Sequence, residues 1–176
     1  MITEEQEREK TIHQLAGLMM AAARTAPKGR GRDTLYLAMA EKTDREKLAI
    51  RMKEIAEAEN LPFFRRDADN LLRSDALLLM GTRIDPLGLK YCGFCGLQSC
   101  NGKNNFPEVP CSFNTLDLGI ALGSAVSVAA AHHADNRIMF SVGRAALDLG
   151  LVPANIKIVL GVPLSISSKS IYFDRG

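Results

Sequence analysis

Apolar residues recur at helical spacing near the start of the chain. Ile12, Leu15, Ala16, Met19 and Ala23 form one stripe, and Thr3 with Gln6 upstream reads as a capping box. The pattern predicts a first helix that ends near Thr25, because Pro27 restricts the residue before it and Gly29 and Gly31 follow. Thr34-Leu-Tyr-Leu-Ala-Met-Ala40 is short and apolar and reads as a buried strand. A second capping box, Thr43 with Glu46, is expected to open a helix with Leu48, Met52, Ile55 and Ala56 on one face, running to Glu59. A shorter helix within Phe63 to Arg73 and a second buried strand, Asp75 to Thr82, complete this regular part.

The turn Arg83-Ile-Asp-Pro-Leu-Gly88 breaks the alternation, and apolar patterning resumes only at Leu118. From there to Ala134 the chain has no formally charged residue. The run is short for a bilayer and contains Gly119, Gly123, Ser124 and Ser127, so it predicts a buried central helix rather than a membrane span. Gly119, Gly123, Ser127 and Ala131 recur every fourth residue, which lets another backbone approach closely, from this chain or a second subunit. Asp135 is expected to cap a further helix with Ile138, Val142, Ala145 and Leu149 turned inward, stopped by Gly150 and Pro153. Ile156 to Val162 reads as a last strand, followed by the tail Ser165 to Arg175.

Composition narrows this picture. At 176 residues, 47% hydrophobic and 24% charged, the chain fits one globular domain, residues 1–176. A net charge of +2 is too small to argue for a nucleic acid or an anionic membrane as partner. Thr3 to Lys10 is acidic where a secretory signal would be basic and then apolar, so a reducing cytoplasm is expected.

The chemistry concentrates between the two regular parts. All four cysteines, Cys92, Cys95, Cys100 and Cys111, fall in one stretch with C-x2-C-x4-C-x10-C spacing. So compact a set of thiolates is most simply the shell of one inorganic centre, spliced into an α/β scaffold as an insert over residues 84–113. A [4Fe–4S] cluster, a [2Fe–2S] cluster and tetrahedral zinc all accept four thiolates. The cubane is favoured over zinc because Cys100 and Cys111 do not form a second short knuckle. Gly93 and Gly96 are expected to let backbone N–H groups turn toward sulfur. If the apolar helix begins near Asn114 or Thr115, its positive end faces Cys111.

Two other features are candidate sites. Arg24, Lys28, Arg30 and Arg32 share a glycine-containing loop that suits either a solvated connection or a phosphate or flavin contact. His132 and His133 are adjacent, so on a helix they point about 100° apart and cannot easily share a metal. No Ser/His/Asp or Cys/His nucleophile arrangement is visible.

The segments Ala23-Arg-Thr-Ala-Pro-Lys-Gly29, Cys92-Gly-Phe-Cys-Gly96, Ala134-Asp-Asn-Arg-Ile-Met-Phe-Ser-Val-Gly143, Gly161-Val-Pro-Leu-Ser165 and Ile171-Tyr-Phe-Asp-Arg175 together resemble the family of ferredoxin-domain-containing proteins of unknown function from anaerobic bacteria and archaea. The cysteine spacing is similar to the four-cysteine module of corrinoid iron–sulfur proteins and some electron-transport subunits. That resemblance implies Cys92, Cys95, Cys100 and Cys111 as [4Fe–4S] ligands. Ala22 to Pro27 and Gly150 to Pro163 are similar to stretches of the nitroreductase fold, an α+β homodimer that binds FMN at its interface. The resemblance implies a nitroreductase-like three-layer scaffold carrying an iron–sulfur loop. Three functions follow as expectations: electron transfer to a redox partner protein, an FMN-dependent oxidoreductase fed by the cluster, or a zinc-stabilised structural or binding protein.

Overall fold

The computed structural model describes residues 1–173. Helix α1 (Glu4–Thr25) starts at the expected box: the Gln6 N–H donates to Thr3 Oγ1, and the Thr3 N–H to Gln6 Oε1. Its stripe of Ile12, Leu15, Ala16, Met19 and Ala23 is buried. After the turn Gly29–Gly31 come β1 (Leu35–Met39), α2 (Lys42–Ala58), α3 (Pro62–Leu72) and β2 (Ala76–Arg83). The box expected at Thr43 does not form, because α2 already begins at Lys42 behind Glu41. Thr43 therefore has helical geometry and cannot cap.

A single turn, α4 (Cys100–Lys103), lies within the cysteine insert, and α5 (Ser112–Ala131) follows it. The chain ends in β3 (Asp135–Asn136), α6 (Phe140–Asp148) and β4 (Ile156–Ser165). All four strands pair antiparallel in the order β1-β2-β4-β3. Asp135 and Asn136 thus pair with Ser165 and Leu164 instead of capping a helix, and Met139 bridges to Gly161 on both sides. That pairing delays α6, leaving Ile138 and Leu149 exposed while Val142 and Ala145 are buried.

Side chains of the central strands alternate between two cores, as pleating requires. Leu78, Met80, Val162 and Leu164 join α1 and α5 on one face. Leu77, Leu79 and Val159 join α2, α3 and α6 on the other. The sheet is therefore the middle of three layers in an α+β fold, which is the architecture expected. Close approach of α6 to β4 depends on Gly143, where a Cβ would sit 1.8 Å from the Val159 carbonyl oxygen.

The apolar helix is longer than its uncharged run, and it is buried on one side only. Leu118, Ala121, Leu122, Ala125 and Ala129 pack into the first core, whereas Leu116, Gly119, Ile120, Gly123, Ser127 and Ala131 face outward. By length and composition alone α5 could cross a membrane. Of the expected tail, Tyr172 is buried with its hydroxyl 2.9 Å from Ser74 Oγ, and burial pushes its phenol well above the ordinary range. Asp174 and Arg175 lie outside the described residues.

Candidate metal centre

The insert leaves the end of β2 and returns at the start of α5, so its base is where those two elements meet. Buried Asn114 on α5 accepts from the Asp85 N–H (2.8 Å) and donates through Nδ2 to the Asp85 carbonyl (3.1 Å). The basic loop reaches the same place. The Arg30 guanidinium donates to the Leu87 carbonyl (3.0 Å), and Arg32 donates to the Pro86 carbonyl (3.1 Å) while pairing with Asp85 at 2.6 Å. The Gly29 N–H donates to the buried Asp117 carboxylate, with both oxygens at 3.0 Å. A side chain at Gly29 would meet Leu87 Cδ1 at 2.7 Å, so glycine there lets loop and insert touch.

The other two cations of the loop turn elsewhere. Lys28 Nζ donates to the carbonyls of Ala23, Arg24 and Ala26, satisfying oxygens that the end of α1 leaves open. Arg24 pairs with Asp33. Burial alone would raise the Asp33 carboxyl, but the bonds from Arg24 and the Leu35 N–H outweigh it and hold it below the usual value. Arg24, Lys28, Arg30 and Arg32 are thus all bonded within the chain. The loop works as a brace between the insert, α5 and the end of α1, a role its composition did not reveal.

Beyond the brace, Cys92, Cys95, Cys100 and Cys111 all line one small cavity. Its other walls are Pro86, Leu87, Leu89, Phe94, Lys103, Ser112 and Phe113, and its empty space is about 290 Å3 counting the mouth open to solvent. The rings of Phe94 and Phe113 stack across one side with centroids 5.7 Å apart and 12° between planes. All four thiols are free, Cys111 buried and the other three half-buried. Among the described residues, no three His, Cys, Asp or Glu side chains stand as a closed set around one metal ion. The sulfurs border a shared cavity instead.

Helix starts hold two of the four cysteines in place. Cys111 is the residue before α5, and its carbonyl accepts from the N–H groups of Asn114 (3.0 Å) and Thr115 (3.3 Å). The helix begins closer to the last cysteine than its apolar run suggests, which brings its positive end against the cavity. Cys100 opens α4, capped by Ser99 Oγ, which accepts from the Gly102 N–H at 3.2 Å. Gly96 takes the left-handed conformation open to glycine, but its N–H donates to the Gly93 carbonyl (2.9 Å) and so forms a turn rather than the expected contact to sulfur. His132 and His133 are exposed at the far end of α5 and take no part.

Sequence reasoning did not single out Lys103. It lines the cavity at only 3% exposure and is the one Lys or Arg between Cys92 and Cys111. Being the sole cation inside the cysteine span was the available signal.

A family model described as an uncharacterized protein containing a ferredoxin domain matches residues 108–175, a span that includes Cys111 but not the other three cysteines. An uncharacterized protein of Archaeoglobus fulgidus is 43% identical over 169 residues, covering 92% of this chain and 90% of that protein. Among solved structures, an oxidoreductase containing FMN superposes with a TM-score of 0.58 at 16% identity, covering 89% of this chain and 67% of that one. A nitroreductase family protein from Clostridium novyi superposes with a TM-score of 0.56 at 13% identity, covering 92% and 76%. At such identities the likeness establishes the fold, which is nitroreductase-like.

Proposed function

We propose, for a chain that belongs to the family of uncharacterized proteins containing a ferredoxin domain, that it is a redox protein whose Cys92, Cys95, Cys100 and Cys111 hold a [4Fe–4S] cluster for electron transfer. One observation carries this reading: four cysteines from a stretch with almost no regular structure line a single, mostly apolar cavity. The cubane is preferred to zinc because Cys100 and Cys111 form no second short knuckle of the kind zinc ribbons present. When bound, the cluster would supply one-electron chemistry.

The chain's own residues set the conditions for that chemistry. The amino end of α5 places a positive dipole beside Cys111, which favours negative charge on the sulfurs. Leu87, Leu89 and the stacked Phe94 and Phe113 keep water from the cavity wall, and Asn114, Arg30 and Arg32 hold the base of the insert in place. Tyr91, Phe94 and Phe106 are exposed around the site and give a redox partner protein an apolar surface to meet. A reducing compartment such as the cytoplasm keeps the thiols available.

The fold favours a second reading, an FMN-dependent oxidoreductase fed by the cluster. It is supported by the nitroreductase-like scaffold and the FMN-containing structure that superposes on it. Arg24, Lys28, Arg30 and Arg32 would have to leave their present partners to reach a flavin phosphate. For either reading a homodimer is expected. The outward face of α5, with Leu116, Gly119, Ile120 and Gly123, is apolar where a solvated helix would be polar. Light scattering on the purified protein tests the dimer, and a monomer counts against it.

Absorbance of protein purified without oxygen separates the readings. A broad visible band bleached by dithionite is expected. Resolved flavin bands support the second reading, and a colourless zinc protein would replace both with a structural role.

A further inference from the structure

We infer that Lys103 is the internal countercharge of the four-cysteine cradle and makes the group held there easier to reduce. This rests on the cluster reading above. Lys103 is almost completely buried, lines the cavity with all four cysteines, and is the only cation among the described residues that does so. Its Nζ donates to the carbonyls of Phe106 (3.2 Å) and Pro107 (3.3 Å), which uses two of its three N–H donors. Among the described residues it forms no ion pair with a carboxylate.

A buried ammonium held only by two neutral carbonyls is costly unless negative charge lies nearby. The four cysteines that line the same cavity supply it once they are ionised. Four thiolates carry more negative charge than a cluster core offsets, and each added electron increases the excess. In a low-dielectric wall, a fixed positive charge favours the more negative state, so it shifts the reduction equilibrium toward the reduced form. The two carbonyls aim Nζ and hold it, because they lie on the turn that follows α4 (Cys100–Lys103). Lys103 is thus a positioning residue for charge, acting on the group through space.

The competing role is a staple, in which Lys103 merely ties residues 103–107 into a turn. Charge separates the two. Protein loaded with iron and sulfide under nitrogen is titrated with dithionite as wild type, Lys103→Gln, Lys103→Met and Lys103→Arg. Neutral variants that hold the cluster are expected to shift the reduction equilibrium at least tenfold toward the oxidised form, about 59 mV for one electron, while Lys103→Arg stays near wild type. If the neutral variants hold no cluster and Lys103→Arg does, charge is again the requirement. Neutral variants that keep the wild-type potential overturn the inference, as does a Lys103→Arg protein that behaves like the neutral ones. Wild-type protein without bound iron and sulfide instead sinks the cluster reading, and the inference with it.

Discussion

Strand β2 and the insert that follows it are continuous in sequence and opposite in construction. β2 buries seven consecutive residues, Ala76 to Thr82, between two apolar cores. Across residues 84–111 only Leu87, Lys103 and Cys111 are buried, and one of those is a charge. The scaffold is held by hydrophobic burial on both faces of its sheet. The insert has no core of its own. It is tied at its base by polar contacts to Asn114, Arg30 and Arg32, and farther out by the Phe94–Phe113 stack and the bonds of Lys103, with shared ligation of its sulfurs the remaining cross-link. Two parts built this differently should fail separately.

The sharpest attempt to break that separation is Cys95→Ser. Bound iron and sulfide are expected to fall at least tenfold, since a four-thiolate shell loses a ligand, while far-UV circular dichroism and the melting temperature of the scaffold stay unchanged. Joint loss of fold and metal would mean that the insert supports the scaffold. The reverse perturbation is Leu164→Ala, which opens space in the core shared by α1 and α5. It should lower global stability in urea by about 2–5 kcal/mol and leave metal content per folded molecule as before.

Asn114→Ala acts at the seam. It leaves the Asp85 N–H and carbonyl without their partner, and a loss of about 1–3 kcal/mol should appear as faster hydrogen exchange across the insert, with β2 and β4 little affected. Equal acceleration in the strands would contradict the division.

The smallest effect concerns the brace in acid. Asp33 has a carboxyl lowered by Arg24 and the Leu35 N–H, so it binds its proton more weakly folded than unfolded. Its stabilisation is present above the unfolded value near 3.8 and is lost as pH falls through the lower folded value. Because the Arg24 pair is partly exposed, Asp33→Asn should cost only about 0–1 kcal/mol at neutral pH and flatten the acid dependence of unfolding between those two values.

The same contrast decides what could be read in the sequence. Ile12, Leu15, Ala16, Met19 and Ala23 gave α1 away because a helical stripe is a local pattern. The cysteine set was equally plain, since all four lie within one stretch and line one cavity. Asp135 misled because its partner, Ser165, is thirty residues away, and sheet pairing overrode a sound capping signal. The basic loop was ambiguous for a similar reason: its partners Asp85, Pro86 and Leu87 come together with it only in the fold. Lys103 left one weak mark, as the sole cation inside the cysteine span, because burial of a charge does not show in periodicity.

The most direct test is iron and acid-labile sulfide analysis of protein prepared under nitrogen with both supplied, together with EPR of the dithionite-reduced sample. A cubane cluster predicts about four iron and four sulfide per chain and a signal that appears on reduction. Protein that binds neither, or gives no signal in either state, would contradict it.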